Sequence, residues 1–307
     1  MNLWTVISMI FITLGLNGEP LAYLSTIKLE DNEGRSGVII ERSVRDNRIS
    51  LPQRKNNRSL GVKLSAPSAA VMDSASGIIL WQKGAKESRS IASITKLMTT
   101  LVFLEHNPGW DQIVTMQASD ETGASVPNIL RGQSASIRDL FYTALIASDN
   151  NAIRALVRAT GLTDEEFVRL MNKKAQALNL MNTNFAELTG LDPQNTSTAL
   201  EVLELAKIAF AQPEIKQAVS RPSYIFSDSD GQEHKILSTN NLFGSYLNIR
   251  AAKTGYIESA GYSLVLEVAG SGQQTILTVV LGSASNEDRF RDAKILSGWT
   301  LENFNWL

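Results

Sequence analysis

The sequence predicts a mixed α/β chain of the α+β type, in which both chain ends build an antiparallel sheet and a helical block lies between them. Two short apolar runs, at 68–72 and 78–81, are separated by D-S-A-S-G and indicate a hairpin. Three later β-rich runs lie at 249–254, 262–268 and 275–281, and A-G-S-G-Q-Q separates the last two. The block between the two groups is nearly all helical, so a single sheet requires the chain ends to meet.

The N-terminal segment predicts export. Residues 3–16 are apolar, a run too short for a confident membrane span and typical of the core of a secretory signal. No basic residue precedes Lys28 and no A-x-A cleavage site follows, so residues 1–22 are expected to be either removed or retained as a membrane anchor. Residues 23–64 are polar and charged and predict a linker. We expect a periplasmic or otherwise extracytoplasmic protein with one folded domain at 65–307.

Composition excludes several function classes. The 307 residues carry a formal net charge of -2, which gives no basic excess for nucleic-acid binding. The chain has no cysteine, which excludes disulfides, zinc–thiolate sites and cysteine nucleophiles. No G-x-S-x-G, H-E-x-x-H or P-loop pattern is present. The two histidines, His106 and His234, lie in a turn and after a polar run, and both are expected at the surface.

The helices are predicted from apolar residues spaced three and four apart and from polar caps. The first helix begins at Ile94 and ends at the turn sequence H-N-P-G. Residues 111–136 are predicted to be short strands and loops. The further helices are predicted at 136–147, 152–159, 163–178, 197–210 and 288–304.

Ser93 and Lys96 form the first candidate catalytic pair. A spacing of three residues at a helix start places both side chains on one face. A serine hydroxyl is a weak nucleophile until a base takes its proton, and a lysine acts as that base if burial and cationic neighbours make it neutral. Unpaired N–H groups at a helix start also favour an oxyanion. Ser-x-x-Lys alone is a weak signal, because most such pairs lie on solvated helix faces.

Two further motifs strengthen this pair. Ser148-x-Asn150 lies 55 residues after Ser93, on a predicted loop between helices. Lys253-Thr254-Gly255 lies a further 105 residues on, on a predicted strand. Each motif alone is close to noise, whereas all three in this order and on these elements are a strong joint signal for an acyl-transfer pocket.

The combination resembles the low-molecular-weight penicillin-binding proteins, the serine D-alanyl-D-alanine carboxypeptidases and endopeptidases. The resemblance covers roughly 66–306 and extends beyond the motifs, to I-A-S-I-T-K-L-M-T-T at 91–100, I-A-S-D-N-N-A at 146–152, E-L-T-G-L-D-P-Q-N-T-S-T-A at 187–199, K-T-G-Y-I-E-S-A-G-Y-S-L-V at 253–265 and R-F-R-D-A-K-I-L at 289–296. It implies a β-lactamase/transpeptidase-like fold, with no metal ion and no organic cofactor.

The resemblance also implies roles for the motif residues. Ser93 would be the nucleophile that takes the acyl group of the penultimate D-alanine, and Lys96 would accept its proton. Ser148 would relay a proton to the leaving amine. Asn150 would hold Lys96 and the substrate amide by hydrogen bonds. Lys253 would add a positive charge that favours neutral Lys96 and attracts a carboxylate.

The remaining substrate-binding residues follow the same resemblance. Thr254 would donate a hydrogen bond to the substrate carboxylate, and the oxyanion would lie between the N–H groups of Ser93 and Tyr256, the residue after Gly255. Arg289 matches an arginine that binds the terminal carboxylate. The implied partners are peptidoglycan stem peptides and the β-lactam antibiotics, which present a strained amide and a carboxylate to the same groups.

Two alternative functions remain open at this stage. A class A-like β-lactamase would use a glutamate after the second motif to activate water, and Glu187 is the candidate. A catalytically silent wall-binding scaffold would keep the fold alone, although intact motifs argue against it. The chain ends about 50 residues after K-T-G. From the resemblance we therefore expect the C-terminal β-domain of larger carboxypeptidases to be absent, which favours an endopeptidase.

Overall fold

The computed structural model describes residues 24–31, 36–42, 51–124, 126–272 and 274–306. Strands β1 (Leu24–Asp31) and β2 (Ser36–Arg42) pair antiparallel and belong to a separate unit, Met1–Ile49. The prediction of a polar linker at 23–64 did not include these strands. The predicted signal or anchor at 1–22 lies outside the described residues.

The second unit, Ser50–Leu307, contains the central sheet. Its strands are β3 (Pro52–Arg54), β4 (Ser68–Asp73), β5 (Ile79–Lys83), β6 (Arg89–Ser90), β7 (Ile113–Thr115), β8 (Ser134–Ser136), β9 (Thr196–Ser197), β10 (Ser223–Ser227), β11 (Glu233–Leu237), β12 (Asn248–Ile257), β13 (Gly261–Ala269), β14 (Thr275–Ser283) and β15 (Phe304–Trp306). Five of them form one antiparallel sheet in the order β12-β13-β14-β4-β5. Strand β14 pairs directly with β4, so the two chain ends meet in one sheet, as the sequence predicts.

Helices occupy most of the chain between the two groups of strands. They are α1 (Lys96–Glu105), α2 (Ile137–Ile146), α3 (Asn150–Ala159), α4 (Asp164–Ala177), α5 (Ala199–Ala211), α6 (Pro213–Val219) and, after the sheet, α7 (Asn286–Asn303). Helix α6 was not predicted, because it is short and begins directly after α5 at a proline. Proline is favoured at the first helical position, since its missing N–H would be unpaired there anyway.

The hydrophobic core divides into two parts, one on each face of the sheet. Strand β4 shows why, because alternate side chains of a strand point to opposite faces. Ala70 and Met72 pack with the helical block, whereas Ala69 and Val71 pack with residues of α7 such as Leu296. The sheet therefore carries the helical block on one face and α7 on the other.

The folded unit begins before the predicted boundary at residue 65. Strand β3 pairs with β15, and the N–H of Lys55 donates to the carbonyl of Asn303 at 2.9 Å. The indole Nε1 of Trp306 donates to the buried carboxylate of Asp73 at 2.7 Å, which ties the last strand to the central sheet. Among the described residues, none of the helices is both long and apolar enough to cross a membrane.

Candidate active site

Ser93 lies in a 3₁₀ turn, Ala92–Thr95, that leads directly into α1. The side chain of Ser93 is half-buried, whereas Ala92 and Thr95 are fully buried. Ala92 has a φ of 47°, in the left-handed region that side chains other than glycine rarely adopt. The predicted helix therefore starts with a strained turn, and backbone strain of this kind is concentrated at functional sites.

Lys96 is fully buried at the start of α1 and is surrounded by oxygen atoms. Its Nζ lies 2.8 Å from Ser93 Oγ, 2.6 Å from Asn150 Oδ1 and 2.8 Å from the carbonyl oxygen of Thr189. Amide and carbonyl oxygens only accept hydrogen bonds, so they take two amine hydrogens. A neutral amine then has its lone pair left for the hydroxyl hydrogen of Ser93.

The electrostatics of Lys96 favour that neutral form. Burial lowers the pKa of Lys96 from its ordinary value to about 7, against the opposing charges of Glu187 and Asp149. The resemblance attributes this effect to the charge of Lys253. In the structure, burial is the dominant cause.

The second motif lies between α2 and α3. Ser148 has a φ of 60°, again in the left-handed region, and Asp149 is the N-cap of α3, because its Oδ1 accepts from the N–H of Ala152 at 3.0 Å. Asn150 was predicted on a loop, but it is the first residue of α3. Its position in the helix fixes the amide that contacts Lys96.

Lys253 lies on β12 and completes the contact between the sheet and the helical block. It is 1% exposed, and its Nζ donates to Ser148 Oγ at 2.7 Å and to the carbonyl of Thr254 at 3.0 Å. Burial lowers the pKa of Lys253 well below its ordinary value, and the nearby charges of Lys96 and Arg289 lower it further. Two serine–lysine pairs, Ser93–Lys96 and Ser148–Lys253, therefore meet at one site.

The residues after Lys253 line the same region. Thr254 is buried, and its hydroxyl lies 2.5 Å from that of Thr239. A Cβ on Gly255 would lie 2.8 Å from the carbonyl oxygen of Ile91 and 3.2 Å from the nitrogen of Ser93, so glycine allows the strand to approach the 3₁₀ turn closely. Tyr256, the next residue of β12, is 48% exposed.

Arg289 lies beneath this end of β12. Its Nη1 donates to the carbonyl of Gly255 at 3.0 Å, and the guanidinium lies over the rings of Tyr262 and Phe290, 5.4 and 4.7 Å from their centroids. Burial lowers the pKa of Arg289 to about 10. Its Nε is buried and has no hydrogen-bond partner among the residues that the structure describes. The structure thus places Arg289 next to the third motif, where it supports the backbone of Gly255.

The carboxylate of Glu187 is occupied by hydrogen bonds within its own loop. Its carboxylate accepts from the N–H groups of Thr189, Gly190 and Leu191, and from the side chains of Thr189 and Asn195. Five donors occupy its two oxygens, so the carboxylate organises its own loop. That loop presents the carbonyl of Thr189 to Lys96.

The sequence did not predict that this loop contributes a ligand to the amine of Lys96. The contact to Lys96 comes from a backbone carbonyl, which no residue letter indicates. Gly190 has a φ of 92°, and a Cβ there would clash with the carbonyl of Ala92. The signal available beforehand was the resemblance over 187–199, which includes this glycine.

Comparisons with known proteins agree with this geometry. A family model described as D-alanyl-D-alanine carboxypeptidase matches residues 53–285. The chain is 33% identical over 203 residues to the D-alanyl-D-alanine endopeptidase of Haemophilus influenzae, which covers 65% of this chain and 69% of that protein. It is 30% identical over 260 residues to the D-alanyl-D-alanine endopeptidase of Pseudomonas aeruginosa, which covers 81% of each.

Two further similarities concern a carboxypeptidase and a solved structure. The chain is 31% identical to the D-alanyl-D-alanine carboxypeptidase DacD of Escherichia coli, over 79% of this chain and 64% of that protein. The crystal structure of the Streptomyces K15 DD-transpeptidase superimposes with a TM-score of 0.75 at 26% identity. That match covers 80% of this chain and all of the transpeptidase.

Gly190→Ala is expected to lower the free energy of unfolding by about 1–3 kcal/mol more than Gly161→Ala. Both glycines have a positive φ, but a Cβ at Gly161 meets no atom within 4 Å, whereas one at Gly190 clashes with Ala92. Urea unfolding of the two variants separates the clash from the backbone strain, which costs about 1 kcal/mol in each. Equal losses of stability would show that the 3₁₀ turn yields to the extra methyl group.

Proposed function

The chain belongs to the D-alanyl-D-alanine carboxypeptidase family of serine D,D-peptidases, and on that premise we propose that Ser93 forms the acyl-enzyme through which it cleaves D-alanyl bonds of peptidoglycan. The observation that carries the assignment to Ser93 is the contact between Ser93 Oγ and Lys96 Nζ. This amine is fully buried, its pKa is lowered to about 7, and Asn150 and Thr189 occupy its other directions.

The acylation step follows from these positions. Lys96 takes the hydroxyl proton as Ser93 Oγ bonds to the carbonyl carbon of the penultimate D-alanine. The N–H groups of Ser93 and Tyr256 stabilise the oxyanion, and loss of one such donor typically costs about 3 kcal/mol in the barrier. The carbon–nitrogen bond then breaks, and Ser148, which receives a hydrogen bond from Lys253, relays the proton taken up by Lys96 to the leaving amine. Water then hydrolyses the ester on Ser93.

The substrate carboxylate is proposed to bind beside the third motif. Lys253 Nζ and Arg289 Nη1 donate to the adjacent carbonyls of Thr254 and Gly255, so two basic side chains lie at this end of β12, and Thr254 adds a hydroxyl donor. A carboxylate near them would gain charge-assisted hydrogen bonds. Penicillins offer a strained amide and a carboxylate at a similar separation, which supports acylation of Ser93 by these drugs.

For the bond cleaved, we propose the D-alanyl bond that cross-links two stem peptides. The support is the similarity to D,D-endopeptidases, which extends over 81% of both chains for the Pseudomonas aeruginosa protein. The match to the carboxypeptidase DacD covers 64% of that protein. An endopeptidase and a carboxypeptidase use the same acyl-enzyme and differ in what lies beyond the leaving amine.

We further propose that the protein is exported. The apolar run at 3–16 is typical of a secretory signal or an anchor, and the proposed substrate lies outside the cytoplasmic membrane. A retained segment would associate the enzyme with the membrane.

Incubation with benzylpenicillin is expected to add one drug mass to the protein, at Ser93. Intact-mass spectrometry followed by peptide mapping measures the adduct over hours. Ser93→Ala is expected to abolish it, whereas Ser88→Ala, which removes an exposed hydroxyl nearby, leaves it unchanged. A persistent adduct in folded Ser93→Ala would contradict the assignment. Rapid loss of the adduct with drug hydrolysis would instead identify a β-lactamase.

The acylation rate is expected to rise with pH and to level off above about pH 7. The pKa of Lys96 is lowered to about 7, and only its neutral form accepts the proton of Ser93, so the rate changes about tenfold per pH unit well below that value. Lys96→Arg keeps its charge throughout and is expected to form no adduct. A wild-type rate that stays constant from about pH 5 to 7 would exclude Lys96 as the base.

Cross-linked muropeptide dimers are expected to be cleaved to monomers faster than D-alanine is released from pentapeptide monomers. Liquid chromatography of each purified substrate with equal enzyme gives the two rates. Ser93→Ala is the control, because it removes both activities if both proceed through one acyl-enzyme. Faster release of terminal D-alanine would assign the protein as a carboxypeptidase and leave the acylation mechanism intact.

A further inference from the structure

His234 lies outside the catalytic constellation, on the hairpin formed by β10 and β11. The expectation that it lies at the surface is wrong, because it is 7% exposed. Its ring faces Phe226 across the hairpin and stacks on it, with the centroids 5.0 Å apart and the planes 12° apart. A polar ring is buried at a hydrophobic contact only when its nitrogens have partners.

Both ring nitrogens of His234 contact acceptors. Nδ1 lies 3.0 Å from the carbonyl oxygen of Asn128, and Nε2 lies 3.0 Å from Oδ2 of Asp228. The carbonyl only accepts, so Nδ1 carries a hydrogen and donates it. Nε2 contacts the carboxylate of Asp228, and this hydrogen bond lowers the pKa of Asp228.

Asn128 continues this chain of contacts into the second catalytic motif. Its backbone N–H and its side-chain Nδ2 both donate to Oδ2 of Asp149, at 3.0 and 2.7 Å. The other oxygen of Asp149 caps α3. Asp149 therefore receives one set of bonds from its own helix and another from the Asn128 loop, and it lies directly between Ser148 and Asn150.

The backbone at this point needs support from its surroundings. Ser148 has a φ of 60°, and a strained residue keeps such a conformation only where neighbouring contacts fix it. Lys253 holds the hydroxyl of Ser148 from the sheet, and Asp149 fixes the following residue. Asn150 must present Oδ1 to Lys96 at 2.6 Å, so a shift of Asp149 would move both motif side chains.

We propose that His234 is a positioning residue of the active site. By donating Nδ1–H to the carbonyl of Asn128, it holds the loop that fixes Asp149, and thereby keeps Ser148 and Asn150 in reactive geometry. Asp228 orients the imidazole from its other side. This inference rests on the proposed acylation of Ser93, because acylation is the step whose rate reports the geometry.

Two amide substitutions separate the two contacts of His234. The amide nitrogen of an asparagine lies about as far from the backbone as Nδ1, and that of a glutamine about as far as Nε2. His234→Asn thus keeps a donor for Asn128 and loses the contact with Asp228, whereas His234→Gln keeps a donor for Asp228 and loses the contact with Asn128. The larger residue, glutamine, fills the space of the ring better.

The expected result is a difference between these variants in the rate constant of acylation by benzylpenicillin. His234→Gln is expected to acylate about tenfold more slowly than wild type, the size of effect for one lost hydrogen bond, and His234→Asn within about threefold of wild type. The dissociation constant of the non-covalent drug complex is expected to change less than this rate constant, because the carboxylate site beside Lys253 is intact and only the contact of Asn150 with the substrate amide is affected. Stopped-flow kinetics over a range of drug concentrations separates the two constants.

Two controls are needed. Thermal unfolding shows whether each variant is folded, and substitutions of the second histidine, His106, show the effect of changing an exposed histidine. His106→Asn and His106→Gln change an exposed residue at the end of α1 and are expected to leave both constants unchanged. If His234→Gln does not fold, Asn128→Ala removes the Nδ2 bond to Asp149 from the other side and is expected to slow acylation, with a smaller change in the dissociation constant.

The outcomes are distinguishable. Three results would overturn the positioning role while wild type still acylates. These are equal acylation rates for the two His234 variants, slower acylation by His234→Asn than by His234→Gln, and an unchanged acylation rate in Asn128→Ala. Failure of wild type to acylate at Ser93 would overturn the proposed function itself.

Discussion

The amine of Lys96 has no exposure to water, and the rest of the site is arranged around that fact. A charged ammonium in this position would lose its hydration. Burial therefore lowers the pKa of Lys96 to about 7, so the neutral amine is accessible near neutral pH. Three separate elements supply the oxygens around it: the 3₁₀ turn, the first residue of α3 and the loop that contains Thr189. Because two of these oxygens only accept, the third direction is reserved for the hydroxyl of Ser93.

Bringing three elements around one amine requires unusually close backbone packing. Glycine meets this requirement at two positions that approach the 3₁₀ turn, Gly190 in the loop and Gly255 on β12. The sheet topology then brings the second lysine to the site. Because β12 is the edge strand next to the helical block, Lys253 reaches Ser148, which lies between α2 and α3. The fold and the chemistry are therefore linked through a small number of backbone contacts.

Residue patterns alone predicted the parts of the structure that depend on periodicity and on motif residues. The short apolar runs at 68–72 and 78–81 predicted the hairpin of β4 and β5, and the helical spacing after Ile94 predicted α1. The three motifs gave Ser93, Lys96, Ser148, Asn150 and Lys253, which the structure brings together.

What could not be predicted depends on the backbone or on contacts distant in the sequence. The carbonyl of Thr189 has no signature in the sequence. Glu187 was a candidate base because it follows the second motif, and the sequence does not reveal the five donors that occupy its carboxylate. His234 follows the polar run S-D-S-D-G-Q-E, which indicates a surface loop, yet the hairpin folds it onto Phe226 and the loop of Asn128. Polarity gives the wrong answer wherever a buried polar group is fully paired.

Strain at the two ends of the site gives these paired groups their significance. Ala92 and Ser148 both have left-handed backbone conformations. Ala92 directly precedes Ser93, whose hydroxyl contacts Lys96, and Ser148 carries the hydroxyl that contacts Lys253. Such conformations persist only if rigid surroundings fix them, and the surroundings here are buried hydrogen bonds: those of Glu187 and Asn195 around the 3₁₀ turn, and those of Asp149 and Asn128 around Ser148. These side chains are therefore ordered when the chain folds, which supports the proposed acylation of Ser93 by groups that are already in place.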